Sequence, residues 1–251
     1  TRVRSSAASD VYKRQEHGAS YQIDFNPGED FAGKFFHLSA VGGGTEITED
    51  STPCYCPGTL IRTPRGERRV ERLKIGDEVM TASGALRPIK WIGRRSYGGR
   101  FVMGRKDILP VCIKAGALAD SVPARDLWIS PHHAMYFENA SCGVLIEAKD
   151  LVNSVSIVQA ERAEKVEYFH IELDTHDVII ANGAPSETFL DDDSRRMFHN
   201  ADEFCALYPE QPEPVFAGYC APRLEEGYEV EAVRQRLRLR AGAVHAGSMA
   251  A

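Results

Sequence analysis

Between Cys54 and Phe189 the chain is written as short β-branched and aromatic runs, each closed by a turn signal. The runs are Thr59-Leu60-Ile61, Glu78-Val79-Met80-Thr81, Pro88-Ile89-Lys90-Trp91-Ile92 and Asp126-Leu127-Trp128-Ile129. They continue with Val144-Leu145-Ile146, Ser156-Ile157-Val158, Tyr168-Phe169-His170-Ile171-Glu172-Leu173 and Val178-Ile179-Ile180. Pro64-Arg65-Gly66, Ala82-Ser83-Gly84 and Asn182-Gly183 punctuate them. Many short strands with regular turns can bury their apolar faces only by pairing across long sequence distances. The pattern therefore predicts an all-β domain over this span.

Bulk properties narrow the function. The 251 residues suit one domain with appendages, and 43% hydrophobic with 26% charged residues is the balance of an ordinary globular chain. A net charge of −6 argues against a nucleic-acid binder, because phosphate recognition needs a basic face. No apolar run is long enough to span a bilayer as a helix. The six cysteines (54, 56, 112, 142, 205 and 220) are too dispersed for a disulfide-framework miniprotein.

The two ends have a different character. Ser5-Ser6-Ala7-Ala8-Ser9-Asp10-Val11-Tyr12-Lys13-Arg14-Gln15 reads as an in-frame translation of a transposase-based sequencing adaptor. Residues 1–15 are therefore expected to be an artefact, with the natural N-terminus and any secretion signal lying upstream. Residues 16–53 read as the remnant of an upstream segment. Tyr21–Phe25 and Lys34–Leu38 are strand-like, Asn26-Pro27-Gly28 is a turn, and 42–53 form a polar linker. Residues 191–251 read as an extension whose stretch 209–214 is Pro-rich and irregular. A helix is expected over 225–240 on Val230, Val233, Leu237 and Leu239, followed by a frayed tail.

An ordered set of motifs lies within the β-rich span: Cys54-Tyr55-Cys56-Pro57-Gly58-Thr59, then Val70–Val79, Ser130-Pro131-His132-His133, and His176 through Asn182-Gly183. The set resembles the Hint family, the self-processing module of hedgehog proteins and inteins. It is most similar to a bacterial branch that begins Cys-Phe-x-Pro-Gly-Thr. The resemblance implies a Hint-type flattened β horseshoe over 54–190, carrying a C-terminal extension with one helix. It also implies that the substrate is the chain's own Pro53–Cys54 bond.

Self-processing by such a module begins with an N-to-S acyl shift. Cys54 holds the position for it, since its own nitrogen is the leaving group, and a thiol with pKa about 8.5 is a good side-chain nucleophile. The family's Thr-x-x-His or Ser-x-x-His element assigns His133 as general acid and Ser130 as the hydrogen-bond partner that orients it or the amide. An imidazole suits the task because its ordinary pKa lies near neutrality. His132 points to the opposite face if the segment is extended. His176 resembles the family's C-terminal block. His170 stands nearest to the aspartate that inteins carry on that strand, and is read either as an acid–base group or as an ordinary strand residue.

Two departures shape the expected reaction. Inteins follow Ala-Asn-Gly by His-Asn and a nucleophile, whereas here Ser186-Glu187 occupy that place, so full splicing is not expected. The attacked carbonyl belongs to Pro53, whose ring crowds the approach and slows the first step. The expected activity is N-terminal autocleavage or acyl transfer that releases residues 1–53. Its partners are the upstream peptide and water or a small nucleophile, with no cofactor and no metal. A catalytically silent Hint-fold module of a larger bacterial secreted or surface protein is the alternative. A zinc site on Cys54-x-Cys56 with His132 or His133 is a third reading, weakened because a closed structural site needs four ligands.

Overall fold

The computed structural model describes residues 53–98, 102–138, 143–191, 194–210 and 218–249, together with the backbone of four strands between 11 and 49. The chain divides into two compact units, Thr1–Ser51 and Thr52–Ala251. The first holds two antiparallel hairpins. One pairs β1 (Val11–Glu16) with β2 (Ala19–Asp24), and the other pairs β3 (Phe36–Val41) with β4 (Gly44–Glu49). Much of the expected linker is thus a strand, as suits the β-branched residues Thr45, Ile47 and Thr48. The expected turn at Asn26-Pro27-Gly28 lies outside the described residues.

The second unit contains β5 (Leu60–Thr63), β6 (Gly66–Arg69), β7 (Glu78–Met80), β8 (Leu86–Pro88), β9 (Trp91–Gly98) and β10 (Val111–Ile113). It continues with β11 (Leu127–Ile129), β12 (Ala134–Phe137), β13 (Val144–Glu147), β14 (Ile157–Gln159), β15 (Lys165–Glu172), β16 (Val178–Ala181) and β17 (Ala184–Glu187). A six-stranded sheet runs in the order β13-β12-β17-β16-β5-β6, a three-stranded one β11-β10-β14, and a long hairpin-like pair joins β15 to β9. The expected strand 88–92 is split. Ile89 N–H turns to the Asp77 carbonyl and Lys90 N–H to that of Glu172, so β8 and β9 serve different partners.

Three residues at the head of this unit stitch two sheets together. Tyr55 exchanges both backbone bonds with Phe169 (2.7 and 2.9 Å), Cys56 N–H reaches the Trp128 carbonyl at 3.0 Å, and Ser130 N–H reaches that of Cys54 at 2.8 Å. Cys54–Cys56 therefore lies as an extended rung between the end of β11 and β15. Extended geometry sends alternate side chains to opposite faces. Tyr55 enters the main core beside Ile129, Met135 and Ile171, whereas Cys54 enters a second cluster beside Trp91, Val166 and Phe189.

The Asn182-Gly183 turn joins β16 to β17, with both residues at positive φ (48° and 82°), as a tight hairpin requires. Asn182 does more than turn the chain. Its amide accepts from Leu60 N–H at 2.7 Å and donates to the Asp126 carbonyl at 2.9 Å, which pins β5 and the start of β11 to the same corner.

The extension packs back on this unit. A 3-10 turn (Ser194–Met197) leads into α1 (Ala201–Leu207), and α2 spans Tyr228–Met249. The expected helix is present and longer at its end, where the tail residues Ala241 and Ala246 are strong helix formers. Val230, Val233, Leu237 and Ala241 form its inward stripe, while Leu239 faces outward, correcting the expected apolar set. The i, i+3, i+7, i+11 spacing explains this, because Leu239 falls about 200° around the helix from Leu237. Most of the Pro-rich stretch lies outside the described residues.

Candidate active site

Cys54 is buried, and its backbone N–H donates to Ser130 Oγ at 2.8 Å. With the Ser130 N–H returning to the Cys54 carbonyl, Ser130 holds the N–H of the Pro53–Cys54 amide and the carbonyl of the peptide group that follows it. Ser130 ends β11 and begins the turn Ser130-Pro131-His132-His133, closed by His133 N–H on the Ser130 carbonyl at 3.1 Å. The turn sends the two histidines apart. His133 is fully buried, whereas His132 Nδ1 meets Glu147 Oε2 at 2.9 Å and Lys149 Nζ at 3.2 Å nearer the surface.

His133 and His170 come together although 37 positions separate them in the sequence. Their rings meet edge to face with centroids 5.4 Å apart, Tyr55 lies 4.3 Å from His133, and Phe189 lies 5.3 Å from His170. Among the described residues no ring nitrogen of either histidine meets a partner at hydrogen-bond geometry, the Thr188 backbone near His170 included. Burial depresses the His133 imidazole to about 3, with repulsion from Arg223 and His176 adding to it. Burial likewise pushes His170 well below its ordinary value, helped by His133 and His176 and only weakly opposed by the Thr188 backbone. Both rings are neutral at physiological pH, and their bare nitrogens are costly unless they serve chemistry.

His176 sits on a separate corner. Its Nδ1 accepts from Cys220 N–H at 3.1 Å, its Nε2 faces Glu187 Oε2 at 3.6 Å, and its ring meets Tyr219 at 5.2 Å. The 3.6 Å separation is an ion-pair distance, too long for a hydrogen bond. The structure thus gathers Cys54 with Ser130, and His133 with His170, and places His176 against the extension.

Several residues at this site carried no assigned role in the sequence. Tyr55 hydroxyl pairs with Ser186 Oγ at 2.7 Å and donates to the Glu187 carbonyl at 3.1 Å, and burial pushes its phenol well above the ordinary range. Glu187 is fully buried. Its Oε1 accepts from Ala134 N–H at 2.7 Å and its Oε2 from Arg223 Nη1 at 2.7 Å. Arg223 Nη2 reaches Glu147 Oε1 at 2.8 Å and the His132 carbonyl at 2.6 Å. Burial pushes the Glu147 carboxyl up, but the His132 bond and the charges of His132, Arg223 and Lys149 outweigh it and hold the group well below the carboxylate range. The one available signal was Tyr55, which adds a hydroxyl where the family pattern has Phe. Arg223 sits between the Pro-rich stretch 209–214 and the helix expected from 225, where nothing local marked it.

An open groove of about 300 Å³ is lined by Cys56, Pro57, Pro110, Trp128 and Val166 among others. Burial pushes the Cys56 thiol up to about 12, with Cys112 adding to the effect, so it is a poor ligand and a poor nucleophile. Among the described residues no group of three or more His, Cys, Asp or Glu is arranged to hold a metal ion.

The ordered motifs, the β architecture and the cysteine held at the module's first position agree with the comparison to known families. The model of the Hint domain matches residues 53–193, over half of the chain, and the protein belongs to this family of self-processing domains. Solved structures similar to it include a bacterial intein-like domain from Clostridium thermocellum (15% identity, TM-score 0.41, covering 55% of this chain and 99% of that one). The gp41-1 intein (15%, 0.38, 54% and 98%) and a DnaB intein from Synechocystis sp. PCC 6803 (10%, 0.37, 55% and 99%) are similar at the same level. No curated protein matches the chain.

Proposed function

We propose that the module performs an N-to-S acyl shift at Pro53–Cys54 and so cleaves or transfers its N-terminal segment without splicing. Cys54 Sγ bonds to the Pro53 carbonyl carbon, the carbon–nitrogen bond breaks, and the nitrogen leaves as the Cys54 α-amine. Water or a small amine or hydroxyl then resolves the thioester and frees residues 1–53. The groove beside Cys56 is the approach for that nucleophile.

The observation that carries this reading is the reciprocal Cys54–Ser130 pair, in which Ser130 Oγ accepts from the N–H of the nitrogen that must leave and the Ser130 N–H fixes the Cys54 carbonyl. A neutral, buried imidazole donates a proton only after accepting one. In the net step the thiol proton ends on the departing nitrogen; His133 is the imidazole assigned to that transfer, and its depressed basicity means that it carries the proton only in passing. His170 lies against His133 and holds that ring in place. The absence of splicing rests on Ser186 and Glu187, which stand on β17 with their side chains committed to Tyr55, Ala134 and Arg223. Neither offers the amide side chain that cyclisation consumes.

The test is intact-protein mass over time for the full chain, with and without dithiothreitol, beside Cys54→Ala. Thiol-accelerated loss of the segment ending at Pro53, absent in Cys54→Ala, is the expected result. A mass unchanged over days overturns the proposal and leaves the non-catalytic structural module as the account.

A further inference from the structure

The extension beyond residue 190 is joined to the Hint unit through Arg223. Its segment adds to the edge of the six-stranded sheet: Leu145 N–H reaches the Pro222 carbonyl at 2.8 Å, and Leu224 N–H returns to Leu145 at 2.9 Å. Between those two bonds the Arg223 side chain turns inward. Its guanidinium meets carboxylates from two different strands, Glu187 on β17 and Glu147 on β13, and the backbone carbonyl of His132. One planar fork thereby ties the strand that faces Tyr55 to the turn that carries Ser130 and His133.

We infer that Arg223 is a positioning residue of the self-processing site, supplied by the C-terminal extension, so that the extension is a working part of the module. The inference rests on the acyl-shift reading of that site. Three observations carry it. Glu187 is fully buried, and a buried carboxylate left without a cation is strongly destabilising. Arg223 is the cation whose nitrogen lies at hydrogen-bond distance, since His176 Nε2 stays at 3.6 Å. The third contact, to the His132 carbonyl, falls on the residue adjoining His133, so a shift of Arg223 moves the imidazole directly.

Arg223 also acts on the His133 ring through its charge. The groups around His133 are Tyr55 from the Cys54–Cys56 rung, His170 from β15, His176 ahead of β16 and Arg223 from the extension, whose guanidinium is held by Glu187 from β17 and Glu147 from β13. The Arg223 charge is held firmly in place: burial opposes it, but Glu187 and Glu147 together more than compensate. Its repulsion is one of the causes that keep His133 neutral. Lysine cannot copy this arrangement, because a point charge on a flexible stem does not bridge two carboxylates and a carbonyl.

The experiment uses the full chain with Arg223→Gln, Arg223→Lys and, as a control on another arginine of the extension, Arg234→Gln. Arg234 pairs with Asp150 and Glu231 away from the site. Two readouts are taken: the rate of Pro53–Cys54 cleavage, and the titration of the His133 ring by NMR in a Cys54→Ala background. Expected is a loss of about 10²-fold in cleavage for Arg223→Gln, partial recovery with Arg223→Lys, and no more than a small change for Arg234→Gln. The His133 titration moves to higher pH in Arg223→Gln and stays put in Arg234→Gln. Wild-type cleavage and wild-type titration in Arg223→Gln overturn the inference, as does an equal loss in all three variants. If Arg223→Gln does not fold, the comparison of Arg223→Lys with wild type decides it in the same way. A wild-type chain that never cleaves overturns the acyl-shift reading, while the histidine titration still tests Arg223 separately.

Discussion

The backbone N–H of Cys54 and the hydroxyl of Ser130 lie 2.8 Å apart, and the Ser130 N–H closes the loop on the Cys54 carbonyl at the same distance. Ser130→Ala removes the only side-chain half of that clamp and leaves a buried N–H without its acceptor. The expected cost is about 1–3 kcal/mol of stability, together with slower cleavage. Urea unfolding in a Cys54→Ala background reads the first, and single-turnover cleavage reads the second. A variant with wild-type values for both would show that the hydroxyl is idle.

Acid should loosen the fold before the carboxylates titrate. His133 and His170 both have folded pKa values below the ordinary 6.5, so between that value and the His133 value of about 3 the unfolded chain binds more protons than the folded one. Stability therefore rises with pH across this window and is lost as pH falls through it, at up to about 1.4 kcal/mol per pH unit for each buried ring. Glu147 contributes the same sign lower down, below its ordinary 4.5. Denaturant midpoints measured from pH 6.5 to 4.5 should fall for the wild type and change much less for a His133→Gln/His170→Gln variant. Equal slopes would place the acid sensitivity elsewhere.

The β character of residues 54–189 was legible because β-branched runs and turn residues act locally, and the Hint motifs were legible because each holds a fixed spacing. Four strands escaped that reading for physical reasons. β6 is Gly-Glu-Arg-Arg and wholly exposed, β17 contains Pro185, and β10 and β12 are short segments whose strand state comes from their neighbours. In the candidate site Cys54, Ser130 and His133 were marked by motif. The company of His170 was not, because it follows from a β15 register that no local pattern records. Arg223 was least visible, since its role exists only once a distant strand edge has formed beside it.

Tyr55 and Ser186 form a buried hydroxyl pair between the extended Cys54–Cys56 rung and β17. Tyr55→Phe keeps the ring on His133 but leaves Ser186 and the Glu187 carbonyl short of a partner, an expected loss of about 1–3 kcal/mol. Ser186→Ala alone should cost a similar amount, while the double variant should recover part of it, since two apolar groups replace a matched pair. A double-mutant cycle in urea unfolding measures the coupling, and strict additivity would refute it. Cleavage should survive in Tyr55→Phe, because the hydroxyl serves packing order on β17 and the ring stays in place.

Gly93 faces His170 across the β9–β15 pair, and its missing side chain makes room for the extension. A Cβ there would meet the Phe198 ring at 2.6 Å. The ring has little room to yield, since it is buried edge-on against Trp91 and Phe189 at 5.3 and 5.4 Å. Gly93→Ala should therefore cost about 1–3 kcal/mol through overpacking. Hydrogen exchange should show the loss first in Ser194–Leu207, the part of the extension carried by that ring. Uniform protection loss across the domain would point to a backbone effect at Gly93 instead.

Two leucines of α2 differ by two positions and should differ sharply in effect. Leu237 is 1% exposed and joins Val230 in the main core, whereas Leu239 is 71% exposed. Truncating Leu237 to alanine removes buried contacts and leaves a cavity beneath the sheet, an expected loss of about 2–5 kcal/mol. Leu239→Ala removes side-chain area already in water and should stay within about 0.5 kcal/mol of wild type. If α2 belongs to the folding unit of the Hint domain, Leu237→Ala shifts the single urea transition that the fluorescence of Trp91 and Trp128 reports. If α2 folds independently, the same substitution leaves that transition in place and adds a second, earlier one in the helical circular-dichroism signal. The burial of Leu237 among residues of the β core requires the first outcome.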